Sequence, residues 1–255
     1  LSSLIYNKEN LAICYDLIKQ NQTLLFFKSI GYQFYNYSDF YFTDHPAATS
    51  PTFLFAKTRV ISSQTLWGRI SRDLWYHLVT DLKLNFVINK SVYGQLRNNN
   101  KVLKLTEDIV ETESPLPKFV YSHLVMPHHP YYFDRNGNPT SIDKLKEFSG
   151  ANKKDYVEYL QYANNKLLKL VDHIKKKSVQ PPIIILMGDH GFRQFNDSVN
   201  KKYYFMNLSS FSIPNGDYTR FYDSSSSVNQ IRTFLNIQFN QTLSLLADST
   251  VFIQQ

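Results

Sequence analysis

The stretch "PPIIILMGDHGFRQF", Pro181 to Phe195, places a carboxylate and an imidazole side by side directly after an apolar run. Asp189 offers an oxygen and His190 a ring nitrogen, a hard-to-borderline pair suited to Zn²⁺ or Mn²⁺. Gly188 and Gly191 flank the pair and let the backbone turn tightly, so two consecutive side chains can address one ion. The same tripeptide also serves as a plain turn after a buried strand, and local chemistry does not separate the two readings. A second polar group sits in "MPHHPYY", where His128 and His129 stand between Pro127 and Pro130. Each proline fixes its own φ and restricts the residue before it, so the intervening histidines are stiffly held. Stiff polar side chains at a strand end suit a preorganised site, although an exposed loop would carry them equally well. His123 lies inside the preceding apolar stretch, where a satisfied core imidazole is the simpler reading. Arg193 can grip a phosphate or sulfate fork-wise, or pair with a surface acid.

Such residues act together only if a frame brings them together. Phe119 to Met126 reads as a strand ended by Pro127. Asp155 to Lys177 reads as a long helix, with Tyr159, Ala163, Leu167 and Leu170 along one face. Pro181-Pro182 end it, and Ile183 to Met187 form a second strand. Strand, helix and strand in series make two parallel strands joined by a right-handed crossover. Ligands of parallel sheets bind beyond the carboxyl ends of the strands. The expectation is that His128, His129, Asp189 and His190 lie on one sheet edge and share a pocket.

Upstream, "NKENLAICYDLIKQ" has helical spacing, a second helix ends at Gly31, and "YQFYNYS" alternates as a strand. "FYFTDHPAATSPTFLF" reads as irregular, and Ser63 to Leu82 as an amphipathic helix. Residues 82–115 are the least patterned, with a polar "RNNNK" turn and an acidic stretch ending at Pro115. Ser224 to Ser227 reads as a loop before a helix. The order of elements gives an α/β fold class, with a central, mostly parallel sheet flanked by helices.

A chain of 255 residues suits one large α/β domain or two small ones and can bury a substantial core. Lys and Arg number 28 against 21 acids, a net charge of +7. No basic stripe or recognition motif accompanies that charge, so nucleic acid is not an expected partner. Its densest cluster, "HIKKKS", ends a helix, where cations suit the dipole. Cys14 is the only cysteine, which excludes an internal disulfide or a Cys-based metal site. No apolar run is long enough to span a membrane, and no signal-peptide pattern is present. The opening "LSSLIYN" begins in mid-pattern and reads as a piece of something longer.

Taken in order, "FVYSHLVMPHHPYYFDRNGNP", "YLQYANNKLLKLVDHI" and "PPIIILMGDHGFR" resemble the sulfatase-like branch of the alkaline-phosphatase superfamily. The similarity is to membrane-anchored bacterial members related to lipoteichoic acid synthase and the phosphoethanolamine transferases. It covers Phe119 to Phe252 and, more faintly, Asn7 to Ser38. The resemblance implies one divalent metal ion, Mn or Zn, with Asp189 and His190 among its ligands. It implies His128 as the catalytic histidine of a His-x-Pro-Phe motif in which Tyr131 replaces Phe. His123, His129 and Arg193 are implied at the substrate rim. The implied reaction is hydrolysis or transfer of a phosphate or sulfate ester, lipid- or glycan-linked, through a Ser or Thr nucleophile and a covalent intermediate.

In the family, the nucleophile and an acidic ligand precede the region matching Leu1. Residues 1–255 are therefore expected to be a single catalytic domain lacking its N-terminal portion and inactive alone. The full-length protein is expected to be anchored by upstream helices, with this domain on the extracytoplasmic face. No histidine follows His190, so a single-metal arrangement fits better than two metals. The alternative is an inactive sulfatase-like domain that binds a glycan, a lipid headgroup or a protein partner.

Overall fold

The computed structural model describes residues 11–49, 92–146, 152–192, 200–214 and 216–249. The chain divides into two compact units, one drawn from Leu1–Gly150 and Asp155–Leu170, the other from Ala151–Lys154 and Val171–Gln255. The expected helix over Ser63 to Leu82 lies outside the described residues, as does Arg193.

The first unit opens with α1 (Leu11–Lys19) and α2 (Gln22–Ser29). The Asn21 side chain accepts from the Leu24 N–H at 3.2 Å, satisfying one of the donors a helix start leaves open. Gly31 closes α2 at φ +86°, its N–H donating to Lys28 O at 3.1 Å, as the sequence leads one to expect. Strand β1 (Gln33–Tyr37) follows. It pairs in parallel with β2 (Lys118–Ser122), from Gln33 opposite Lys118 to Tyr37 opposite Ser122. Leu24, Phe34 and Phe42 form the core beside this pair, packed by Ile18, Phe40, Phe119 and Tyr121. Phe27 stacks on Phe119 with ring centroids 4.4 Å apart. Each such side chain contributes about 1.5–3 kcal/mol through burial.

Between the strands runs α3 (Gly94–Glu111), which contains the "RNNNK" that reads as a turn. The reason is visible in its buried face: Gln95, Asn99, Val102, Thr106 and Ile109 recur at helical spacing, but three of the five are polar. A search for apolar periodicity passes over such a face. Tertiary hydrogen bonds offset the weak helix propensity of asparagine. Thr106 Oγ1 lies 2.6 Å from Ser122 Oγ, tying α3 to β2. Lys118 Nζ donates to Ile109 O at 2.7 Å, placing a cation at the negative end of α3. A short α4 (Ile142–Lys146) precedes α5 (Lys153–Lys177). Tyr132, Tyr159 and Ala163 are each only 1% exposed, the last two one helical turn apart on α5.

In the second unit, β3 (Ile184–Met187) pairs antiparallel with β4 (Ser209–Ser212). A 3₁₀ turn (Lys201–Tyr204) lies between them. Among the described residues the strands therefore form two two-stranded sheets, one parallel and one antiparallel. β2 pairs with β1, and β3 has β4 as its antiparallel neighbour. The architecture is a mixture of helix and strand with a small parallel sheet. No helix among the described residues is long and apolar enough to cross a membrane.

Helix α6 (Ser227–Gln238) is capped by Ser226, whose hydroxyl accepts from the Asn229 N–H at 3.3 Å. Ser224 to Ser226 form the loop before it, as expected, and Ser227 is already the first helical residue. Phe234 and Leu235 are buried, and Phe211 packs between Phe221 and Phe234. The irregular segment 241–249 is fastened to α6 by side chains spaced three and four residues apart. Asn229 donates to Leu246 O at 2.7 Å and accepts from its N–H at 2.8 Å. Arg232 donates to Ser244 O at 2.8 Å. Asn236 donates to Leu243 O at 2.9 Å and accepts from its N–H at 2.8 Å. Asp248 completes the fastening by accepting from the Ser226 N–H and from Asn229 Nδ2, both at 2.8 Å.

Asn229→Ala strips partners from a fully buried site. It is expected to lower stability by about 2–4 kcal/mol in chemical denaturation, with loss of hydrogen-exchange protection at Leu246. The Tyr222 hydroxyl, with the Ser226 and Asn229 donors, holds the Asp248 carboxyl down to about 2 from a usual 3.8. A depressed folded-state pKa contributes stability that is complete above the unfolded value and is lost as pH falls through the folded one. The Ser226 amide resonance should therefore titrate near pH 2 rather than 3.8, and Asp248→Asn should abolish that titration.

Candidate functional site

The histidine loop starts where β2 stops. Strand pairing ends at Ser122, with one further bond from the His123 N–H to Tyr37 O at 2.9 Å. The strand thus ends four residues before the expected Met126. The His123 ring lies 5.1 Å from the Phe40 ring, and its Nδ1 is 3.3 Å from the Tyr121 hydroxyl. Its surroundings are those of a packed imidazole.

Side chains of α3 replace the missing ladder. Asn99 Oδ1 accepts from the Val125 N–H at 2.8 Å, and Asn99 Nδ2 donates to Val125 O at 3.1 Å. Gln95 Nε2 donates to the same carbonyl at 2.7 Å. Asn99 and Gln95 are 2% and 7% exposed, so these backbone groups have protein rather than solvent as partner. The backbone is fixed three residues before His128. Sequence reasoning missed both amides; the four-residue spacing of Gln95 and Asn99, continued by Val102 and Thr106, is the signal that would have found them.

Pro127 and Pro130 both follow cis peptide bonds. His128 Nδ1 lies 2.6 Å from His129 O. A carbonyl can only accept, so the proton sits on Nδ1 and Nε2 carries the lone pair. The His129 ring meets the Tyr131 ring edge-on at 5.3 Å. Burial, and then the neighbouring His128, lower the His129 pKa, keeping that imidazole neutral. Tyr132 anchors the loop's far side, its hydroxyl donating to Val92 O at 2.7 Å.

The Asp-His turn of the second unit is pinned at both ends. Gly188 donates to Leu208 O at 2.8 Å and accepts from Asn207 Nδ2 at 2.6 Å. The Gly191 N–H donates to Tyr204 O at 2.8 Å. A Cβ on Gly191 would lie 1.9 Å from Tyr203 O and 2.7 Å from Met206 O. Glycine is required there by the close passage of the 203–206 backbone, a reason the sequence alone does not reveal. His190 Nδ1 is 2.6 Å from Gly191 O, so here too Nδ1 is the proton-bearing nitrogen and Nε2 is the one turned toward Asp189. Metal-binding imidazoles commonly have this second bond.

His190 Nε2 stands 3.6 Å from Asp189 Oδ2. Two donors each ~2.0–2.2 Å from a single ion at a tetrahedral angle are about 3.4 Å apart. The pair therefore fits two corners of one coordination sphere. Among the described residues no group of three or more His, Cys, Asp or Glu is gathered for an ion.

No family model, curated protein or solved structure matches this chain. The structure brings His128 together with His129 in the first unit, and Asp189 together with His190 in the second.

Asn99→Leu should cost about 1–3 kcal/mol by leaving the Val125 N–H unpaired. It should also loosen His128, so that long-range ¹H–¹⁵N spectra show a shift from the Nδ1–H tautomer toward a mixture. The His190 tautomer serves as the internal control and should not change.

Proposed function

We propose that this chain belongs to a metal-dependent hydrolase or transferase of phosphate or sulfate esters, of the sulfatase-like kind its sequence resembles. The observation that supports this most directly is the pinned turn that holds Asp189 Oδ2 and His190 Nε2 at 3.6 Å. Asp189 and His190 would hold one Mn²⁺ or Zn²⁺, which when bound supplies Lewis acidity toward an ester oxygen. In this reading the fold is α/β with a central, mostly parallel sheet flanked by helices.

The chain's own residues then divide the work. His128 has its Nδ1–H tied to a carbonyl, so a proton taken up at Nε2 is the one it can return to a leaving oxygen. His129 stays neutral beside it and offers shape and hydrogen bonding to the substrate. His123 backs the loop, and Arg193 grips the oxygens of the transferring group. The nucleophile is a Ser or Thr outside the described residues. The ester is lipid- or glycan-linked, and the protein works at the extracytoplasmic face of a membrane.

Metal analysis of the full-length protein tests the first element. Asp189→Ala is expected to weaken Mn²⁺ or Zn²⁺ binding at least about tenfold, and equal metal content in the two proteins would remove Asp189 from the site. His128→Gln should keep the metal and lower kcat on a phosphodiester by about 10²–10⁴-fold. An unchanged kcat would assign the proton transfer to another group.

A further inference from the structure

Between β3 and β4 the second unit carries the segment from Asn200 to Leu208, whose backbone is held while its side chains stand open. Asn200 O accepts from the Tyr203 N–H at 3.0 Å, and the Asn200 side chain accepts from the Lys202 N–H at 3.0 Å. The Phe205 N–H donates to Lys202 O and the Asn207 N–H to Phe205 O, both at 3.2 Å. Asn207 Nδ2 also lies 3.3 Å from Ser227 Oγ at the start of α6. With the bonds from Gly188 and Gly191, these clasp the segment on both sides of the Asp-His turn. Yet Tyr203 is 45%, Phe205 45%, Met206 63% and Leu208 48% exposed. Four large apolar side chains within six positions of a fixed backbone are presented to the outside rather than frayed.

Exposed apolar clusters of this kind mark interaction surfaces. At about 200 Å² per large side chain, four at half exposure present on the order of 400 Å². The charges alongside say what covers it. Lys201 and Lys202 are exposed and directly precede the apolar residues. No Asp or Glu occurs from Ser198 to Gly216. Lys202 Nζ lies 5.2 Å from the centre of the Tyr203 ring, so its charge rides on the aromatic surface. Lysine is depleted in protein–protein interfaces, which argues against a protein as the occupant. At a bilayer surface the combination is favourable: aromatic rings sit at headgroup level, and lysine stems run along apolar groups while the ammonium meets lipid phosphate. The net charge of +7 draws the chain toward an anionic surface as well.

We propose that the 201–208 segment docks on an anionic phospholipid bilayer, with Tyr203, Phe205, Met206 and Leu208 entering the interface and Lys201 and Lys202 meeting the lipid phosphates. The segment is bonded to Gly188 and Gly191, so docking holds the Asp-His turn at the lipid surface. In its use this rests on the lipid-linked ester proposed above. Its test needs neither metal nor turnover, so the two readings fail separately.

The test is flotation of the 255-residue chain, in EDTA, with vesicles of phosphatidylcholine alone and of an equal mixture of phosphatidylcholine and phosphatidylglycerol. The chain is expected to float with the mixed vesicles and far less with the neutral ones. Phe205→Ser combined with Met206→Ser should weaken binding to the mixed vesicles about tenfold or more. Lys201→Gln combined with Lys202→Gln should do the same. Both pairs change exposed side chains and should leave Tm unchanged. Val228→Ser, 55% exposed on α6, is the control and should bind as the parent does. Flotation with neither vesicle overturns the proposal, as does equal binding to both. Undiminished binding in the Phe205/Met206 variant, or an equal loss in Val228→Ser, overturns it too. Lipid-free dimers that this double variant abolishes would assign the surface to a second copy of the chain instead.

Discussion

Buried asparagine amides finish the backbone that the short strands leave unfinished. The strands are four or five residues long, so much of the chain beside them lacks a ladder. Asn36 donates to Phe40 O, His45 O and Pro46 O and folds the irregular segment after β1. Asn99 embraces Val125 after β2, and Asn229 embraces Leu246 beside α6. A primary amide has a donor and an acceptor side by side and so can answer one residue's N–H and C=O together, as a neighbouring strand would. Without Asn229 the Leu246 N–H and C=O lose their side-chain partner together, whereas without Asn99 the Val125 N–H is left unpaired while Gln95 still donates to the carbonyl.

The same device serves the chemistry. An imidazole is useful for proton transfer or metal binding only if a particular nitrogen is presented. In His128 and His190 this is achieved by the carbonyl of the next residue, which claims Nδ1. That claim is only as firm as the local backbone. The backbone before His128 is fixed by Asn99 and Gln95, and that around His190 by the hydrogen bonds of Gly188 and Gly191. Positioning passes from helix amide to loop backbone to imidazole tautomer.

Much of this was legible in the residues, for reasons that differ from place to place. Gly31 announced the end of α2 because only a positive φ closes that helix simply. Apolar spacing announced α5, and the serine run announced a loop before α6. The Asp-His turn and the proline-bracketed histidines were visible as side-chain types capable of chemistry. What was hidden depended on partners distant in sequence. α3 looked like a turn because its inner face is polar, and that face makes sense only once Val125 and Ser122 are opposite it. Gly191 looked like a flexibility residue, whereas its role is to leave space for the 203–206 backbone. The antiparallel partner of β3 was invisible because "SSFS" has no strand signature of its own.

Reliance on asparagine makes the fold sensitive to chemical ageing. Hydrolysis of a primary amide changes one nitrogen to oxygen and replaces two donors by a negative charge. At Asn99 the new carboxylate would face the carbonyl oxygen of Val125 instead of donating to it, and attraction would become repulsion. At Asn229 it would confront Asp248 as well as Leu246 O. Burial within helices, which holds the backbone away from the geometry of attack on the amide, is therefore a preservative as well as a packing arrangement for both residues.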